Sequence, residues 1–134
     1  MPDQDDVFRV LQEMMNRHAF ELEEAIEAHH DWREALEHGI ATRDWQHSYT
    51  EVACDECCKL GRWLHQAADE VRADAAWQRV HDAHVLFHHE ASEVVKLAQT
   101  DRMKEAVEAL WPGSKFERAS ARLLELLQEW RDAA

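Results

Sequence analysis

Ten histidines and three cysteines give this 134-residue chain a large supply of metal-binding side chains. Two of the histidines, His84 and His88, lie four residues apart. On a helix this spacing stacks the two imidazoles one turn apart on the same face, so both can ligate one ion. Both also fall on the apolar stripe of their segment, where buried imidazoles need partners. A metal ion would supply those partners, and two half-buried histidines packed in a core are the alternative interpretation.

His29 occupies a core-facing position in the first amphipathic segment, with Trp32 about one turn further along the same side. A single histidine at such a position is more often a hydrogen-bonded core residue than a ligand. It becomes a candidate ligand if the first helix packs against the helix of His84 and His88, and an antiparallel bundle favours that packing.

Cys58 and Gly61 share one face of a helix that we expect to begin near Asp55 or Glu56. A glycine within a helix costs about 1 kcal/mol relative to alanine, so its presence needs a reason. We expect the reason to be space, because a helix without a side chain there can approach a metal and the helix behind it closely. A helix N-terminus also favours the thiolate, which is the form of cysteine that binds metal.

The other cysteines form a CxxC pattern, Cys54 to Cys57, without the βαβ context of a redox protein or a second pair typical of a zinc ribbon. We interpret both as reduced bystander thiols that can form a disulfide with Cys58 after oxidation.

Further residues are expected beside the site. His81 shares a face with His84 and is the strongest rival ligand, whereas His65 is expected to lie nearby and to support a ligand. Trp32 and Trp63 flank the proposed ligands and are expected to form walls of the site. His18 is interpreted as core or dimer interface, and four other histidines are predicted to be exposed: His30, His38, His47 and His89.

The elements that position these residues are predicted to be helices, because apolar residues recur every three or four positions. We expect helices over residues 5–38, 55–70, 73–99 and 114–132, a short helix within 40–56, and a break at 111–114. Gly39 is the predicted end of the first helix, and Thr100 and Asp101 are predicted to cap the helix that follows them.

The predicted fold is therefore all-α, an antiparallel four- to five-helix bundle with a long first helix, in one domain over residues 1–134. A first helix about 50 Å long would extend beyond the rest of such a bundle. We therefore expect part of its apolar stripe to contact a second copy of the chain.

The formal net charge of -13 argues against nucleic acid and anionic membranes as partners, because both require clustered Lys and Arg. No apolar run is long enough to span a bilayer, and the acidic N-terminus lacks the features of a signal peptide. We therefore expect a cytoplasmic protein.

Three motifs taken together resemble the chemoreceptor zinc-binding family, often called CZB. The motifs are His29-x-x-Trp32, Cys58-x-Leu60-Gly61-x-Trp63 and His84-x-x-x-His88, in the order and roughly at the spacing that the family shows. Residues 116–120 also look like the last helix of the family, so the resemblance extends over nearly the whole chain. It implies one zinc ion, Zn²⁺, bound by His29, Cys58, His84 and His88.

The resemblance also implies a regulatory module rather than an enzyme. Members form dimers, are appended to bacterial chemoreceptors and diguanylate cyclases, and alter the output of the attached domain as zinc comes and goes. Some respond to oxidants at the zinc-bound cysteine. No signalling or cyclase domain accompanies these 134 residues, so we expect either a stand-alone domain with a separate partner or an excised piece. Four protein ligands close a tetrahedral site, which argues against catalysis.

Two other functions remain as alternatives. His29 and the segment from His84 to Glu90 are also compatible with a hemerythrin-like di-iron bundle that binds oxygen. Such a site needs inward carboxylates and histidines from four helices, and it would leave Cys58 without a role. The second alternative is a structural helical adaptor whose histidines are incidental.

Overall fold

A computed structural model of the chain describes the backbone of residues 4–133 and the side chains of residues 21–133. Within those limits the chain forms seven helices and no strand, which confirms the predicted all-α class. The helices are α1 (Gln4–Thr42), α2 (Tyr49–Val52), α3 (Lys59–Gln66), α4 (Asp69–Arg72), α5 (Ala75–Gln99), α6 (Met103–Glu108) and α7 (Lys115–Ala133). The connections contain more short helices than we expected. The side chain of His18 lies outside the described residues.

The three long helices form the body of the bundle, with α7 packed against both α1 and α5. α1 and α7 run antiparallel, because Glu23 pairs with Arg131 near one end while Arg33 pairs with Glu117 further along. The apolar stripes predicted for these helices supply the core, which includes Leu22, Leu36, Val80, Phe87, Ala91, Val94, Phe116, Leu123 and Leu127. Among the described residues, no helix has the combination of length and apolarity that crossing a membrane requires.

The end of α1 differs from the prediction. Gly39 does not stop the helix, which continues to Thr42. Instead, the missing side chain of Gly39 makes room for Trp45, whose Cε3 would lie 2.9 Å from an added Cβ. The helix ends where Arg43 adopts a left-handed conformation with a φ of 59°. The amide of Asp44 then donates to the carbonyl of Gly39 at 2.8 Å, as in a Schellman motif.

Thr100 and Asp101 also act at a different helix terminus from the predicted one. Thr100 is the C-cap of α5, and its hydroxyl donates to the carbonyl of Lys96 at 2.7 Å. Asp101 has a φ of 63°, so the chain reverses there before α6 begins. The two residues therefore end α5 rather than cap α6, because the Thr100 side chain bonds backward along the chain and Asp101 reverses its direction.

The short helices α2, α3, α4 and α6 all pack against α5. Two of them begin with a side-chain cap. The Ser48 hydroxyl accepts from the amide of Glu51 at the start of α2, and Sγ of Cys58 accepts from the amide of Gly61 at the start of α3. Trp77 of α5 is buried, and its indole N–H donates to the carbonyl of Leu64 in α3 at 3.1 Å. α5 is therefore the element on which the connecting segments are fixed.

A comparison of two leucines tests this arrangement. Leu123→Ala should lower the free energy of unfolding by about 2 to 5 kcal/mol, because Leu123 is fully buried in α7. Leu86→Ala, the matched control on α5, should cost no more than about 0.5 kcal/mol because that side chain is 50% exposed. Urea unfolding of metal-free protein measures both, and equal losses would contradict the packing described here.

Candidate metal centre

His84 and His88 meet on the inner face of α5. Their side chains are buried, with exposed fractions of 2% and 5%. The centroids of the two rings lie 4.5 Å apart with the ring planes nearly perpendicular. The predicted placement on a buried stripe is thus confirmed, and the two imidazoles face the same space.

Cys58 reaches this space from the N-terminus of α3. Its Sγ accepts a hydrogen bond from the amide of Gly61 at 3.3 Å and lies 3.2 Å from Nε2 of His84. One donor atom each from Cys58, His84 and His88 lies within 4.8 Å of the other two. Ligand atoms around a tetrahedral zinc ion are roughly 3.5 Å apart, so modest side-chain rotations would bring all three to coordination distance.

Hydrogen bonds define which ring nitrogens are free to bind an ion. Nδ1 of His88 lies 2.8 Å from the carbonyl oxygen of Val52, which can only accept. Nδ1 therefore carries the hydrogen, and Nε2 presents its lone pair, as in the supported histidines of metal sites. Nδ1 of His84 is buried without a hydrogen-bond partner among the described residues. Such an unpaired atom is uncommon in a protein interior, and it leaves Nε2, which faces Cys58, as the nitrogen of His84 nearest to the thiol.

His29 borders the same space but is not part of the converging group. It is 7% exposed, and its ring lies 4.4 Å from that of Phe87. Its Nε2 is 2.8 Å from the hydroxyl oxygen of Ser120, which also accepts from Arg33. The structure thus brings together three of the four predicted ligands and places the fourth at the rim, with one ring nitrogen engaged on α7.

The four residues line one cavity of about 560 Å³ between α1, α5 and the segment 45–62. Trp32 lines it as well, and its ring lies 5.8 Å from that of His88. Trp63 does not: its indole N–H donates to Glu21 and its ring packs against Trp130. The prediction that Trp63 forms a wall is therefore wrong, because its face of α3 is turned toward α1 and α7.

Burial keeps the predicted ligands uncharged. It lowers the pKa of His29 to about 4 and of His84 to about 3, with a smaller effect of neighbouring histidines. Burial also lowers the pKa of His88, although the Val52 carbonyl opposes this shift. The pKa of the Cys58 thiol is raised by burial more than the amide of Gly61 lowers it. A cation is the charge that would stabilise the thiolate here, and its binding would release a proton.

Gly61 is required by a close approach, but a different one from that predicted. A Cβ at this position would overlap the backbone oxygen of Asp55 and lie 3.1 Å from Cα of Glu56. The space that glycine provides is therefore filled by the turn before α3, not by a metal or by another helix. This turn carries the chain into Cys58.

The structure joins Cys54 and Cys57 in a disulfide and leaves Cys58 as the free cysteine. The prediction of two reduced bystander thiols is therefore wrong. The reason is the tight turn after α2, in which the amide of Cys57 donates to the carbonyl of Cys54. That turn holds the two Cα atoms 5.5 Å apart, a separation typical of disulfides.

His65 and His81, expected beside the Cys58 site, belong to a separate group. Their rings lie 5.9 Å apart, and both offer donor atoms close to the carboxylate of Asp55. The exposed positions predicted for His30, His38, His47 and His89 are confirmed.

Sequence reasoning missed Ser120 and the Val52 carbonyl as partners of the buried imidazoles. Ser120 could have been found, because it is a polar residue on the buried stripe of α7, one turn after Phe116. The Val52 carbonyl carries no sequence signal, since every residue has one.

No protein-family model matches this chain, and no curated protein and no solved structure matches it either. The resemblance to the chemoreceptor zinc-binding family therefore remains a prediction that rests on its three motifs.

Replacing Gly61 tests the close approach. In an ordinary helix Gly→Ala would stabilise by about 1 kcal/mol. Here Gly61→Ala should instead destabilise by roughly 1 to 3 kcal/mol and weaken metal binding, because the turn carrying Asp55 must move. Urea unfolding checks the first effect, with Gln66→Ala as an exposed control on α3. A gain in stability for Gly61→Ala would show that the turn is not held there.

The depressed pKa of His29 predicts a dependence of stability on pH. The unfolded chain binds a proton at this histidine below its ordinary pKa of 6.5, whereas the folded chain does so only near 4. Metal-free protein should therefore lose stability as pH falls from 6.5, by about 1.4 kcal/mol per pH unit for each such histidine. His29→Gln should reduce the slope of stability against pH by that amount between pH 6 and 5. Equal slopes in the wild type and His29→Gln would refute the assignment.

Proposed function

We propose that this protein binds one zinc ion in the cavity, through Cys58, His84, His88 and His29, and that metal occupancy controls a signalling partner. The observation that carries the proposal is the convergence of one thiol and two buried imidazoles from distant segments, with donor atoms within 4.8 Å. Thiolate sulfur and imidazole nitrogen are both donor types that bind zinc in proteins.

The chemistry of the donors favours zinc over a di-iron centre. Thiolate and imidazole are borderline-soft ligands, whereas di-iron bundles bridge their metals with several carboxylates. The acidic residue among those lining the cavity is Glu51, whose carboxylate is exposed and pairs with His47. The cavity therefore lacks the oxygen donors that a hemerythrin-like site would need among the described residues.

His29 is the proposed fourth ligand because it borders the cavity and is held uncharged. If its Nε2–H donates to the Ser120 hydroxyl, Nδ1 presents a lone pair on the other edge of the ring. A ligand histidine that donates its second nitrogen to a protein oxygen is the usual arrangement in metal sites. The ion would then connect α1, α3 and α5.

The regulatory role follows from that connection and from the resemblance to CZB domains. α3 is a helix of eight residues, and Cys58 is its N-cap. Loss of the ion would remove one link from this helix to α1 and α5, so occupancy can alter its position. The proposed partner is a chemoreceptor or diguanylate cyclase type of signalling protein, and the proposed assembly is a homodimer formed along α1, which is 39 residues long.

Cys58 also gives the site a response to oxidants. A two-electron oxidant such as hypochlorite converts the thiolate to a sulfenic acid and is itself reduced to chloride, and the oxidised sulfur is a poor zinc ligand. Zinc release upon mild oxidation would identify an oxidant sensor. Ready exchange with buffered free zinc and no oxidant response would identify a zinc sensor.

Removal of single ligands tests the site. Cys58→Ala and His84→Ala should each weaken the tightest zinc binding by about 100-fold or more, because an open coordination position replaces a protein ligand. Zinc competition with a chromophoric chelator measures affinity. Cobalt substitution adds a readout, since a thiolate-to-cobalt band in the near ultraviolet should be present in the wild type and absent in Cys58→Ala.

His38→Ala serves as the matched control, since His38 is an exposed histidine near the end of α1. It should retain the affinity and the cobalt band. Unchanged tight binding in both Cys58→Ala and His84→Ala would refute the site and leave the structural adaptor as the better interpretation. Two irons per chain with visible absorption bands would favour the di-iron alternative.

A further inference from the structure

A second group of metal-binding side chains lies outside the cavity. Asp55 precedes α3, His65 is in its last turn, and His81 is on α5. One donor atom from each lies within 4.8 Å of the other two. None of the three lines the cavity of Cys58. All are partly exposed, with side-chain fractions of 26% to 34%, so ions can reach them from solvent.

The contacts of His65 with the nearby carboxylates are too long to be hydrogen bonds. Nε2 of His65 is 3.8 Å from a carboxylate oxygen of Asp55 and 3.5 Å from one of Glu56. Neither distance suits a hydrogen bond, which brings nitrogen and oxygen to about 2.9 Å. This Nε2 atom is itself buried and has no hydrogen-bond partner among the described residues.

The same distances suit an ion placed between the donors. Two ligands that each lie about 2.1 Å from a metal are separated by roughly 3 to 3.5 Å. Nε2 of His65 lies 3.5 Å from the Glu56 oxygen and 3.8 Å from the Asp55 oxygen, close to that separation. The surroundings of this nitrogen therefore resemble a coordination sphere more closely than a hydrogen-bonded network.

The donors are held in place by contacts that do not involve the ion. The ring of His81 stacks on Trp77, with centroids 4.9 Å apart and an interplanar angle of 12°. Trp77 in turn donates to the carbonyl of Leu64, next to His65. Asp55 is positioned by the close passage of its backbone against Gly61. The ring of His81 and the backbone beside Asp55 and His65 are therefore fixed before an ion binds, which lowers the entropy cost of binding.

We propose that Asp55, His65 and His81 form a second site, which binds a divalent transition-metal ion such as Zn²⁺, Co²⁺ or Ni²⁺. Two imidazoles and a carboxylate suit these ions, and water or Glu56 fills the remaining positions. The site is more exposed than the cavity and has no thiolate, so it binds more weakly and exchanges faster. This inference does not depend on the function proposed above.

Metal titration of the full chain tests the second site. Metal-free protein should bind two equivalents of Zn²⁺ in calorimetry, one tight and one weaker. His81→Ala and His65→Ala should weaken the second equivalent at least tenfold, because each removes a ligand. Both variants should keep the thiolate-to-cobalt band of the cavity, which also shows that they fold. His38→Ala, an exposed histidine outside both groups, should bind two equivalents.

Asp55→Asn provides a nearly isosteric second variant that removes the carboxylate charge, and it should weaken the second equivalent in the same way. The proposal would be overturned if the wild type bound no equivalent of Zn²⁺ that is weakened in His81→Ala, His65→Ala and Asp55→Asn. A different outcome would refute the cavity site alone. In that case the wild type would show no cobalt band but would still bind Zn²⁺ weakly in a way that depends on His81.

Discussion

The turn between α2 and α3 passes so close to Gly61 that no other residue fits at that position. This contact determines where Asp55 and Cys58 lie, because both belong to the segment that the contact holds. The same turn separately holds the Cα atoms of Cys54 and Cys57 5.5 Å apart, where the two residues are joined. The positions of the Cys58 thiol and of Asp55 therefore depend on one glycine.

The second constraint is the burial of polar rings. Three uncharged imidazoles in a small core cost stability unless their nitrogens find partners. His88 finds the carbonyl of Val52, and His29 finds Ser120 on the opposite helix. Each of these bonds joins elements that are far apart in the sequence. The bonds thus link distant elements of the bundle and, at the same time, fix the orientation of both rings beside the cavity.

The parts of this fold that depend on periodicity could be predicted from the sequence. His84 and His88 were placed correctly because a helix of known phase fixes which face a residue occupies. The sequence pattern wrongly predicts that Gly39 ends α1, because the contact of Gly39 with Trp45 cannot be seen in it. It also assigns Thr100 to the wrong helix, because the hydroxyl of Thr100 bonds backward to Lys96. The path of a turn, unlike the face of a helix, does not follow from a periodic pattern of residues. The disulfide and the grouping of Asp55 with His65 and His81 both follow from a turn whose path the sequence pattern does not specify.

The shortness of α3 has a kinetic consequence. A helix of eight residues has little stability of its own and depends on packing against α5. Its local opening requires far less free energy than unfolding of the long helices, so it samples open states much more often. Each opening would carry Cys58 away from His84 and would also break the contacts of Trp63 with Glu21 and Trp130. The lifetime of any ion in the cavity would therefore depend on the opening of one short helix, while α1, α5 and α7 can stay packed against one another.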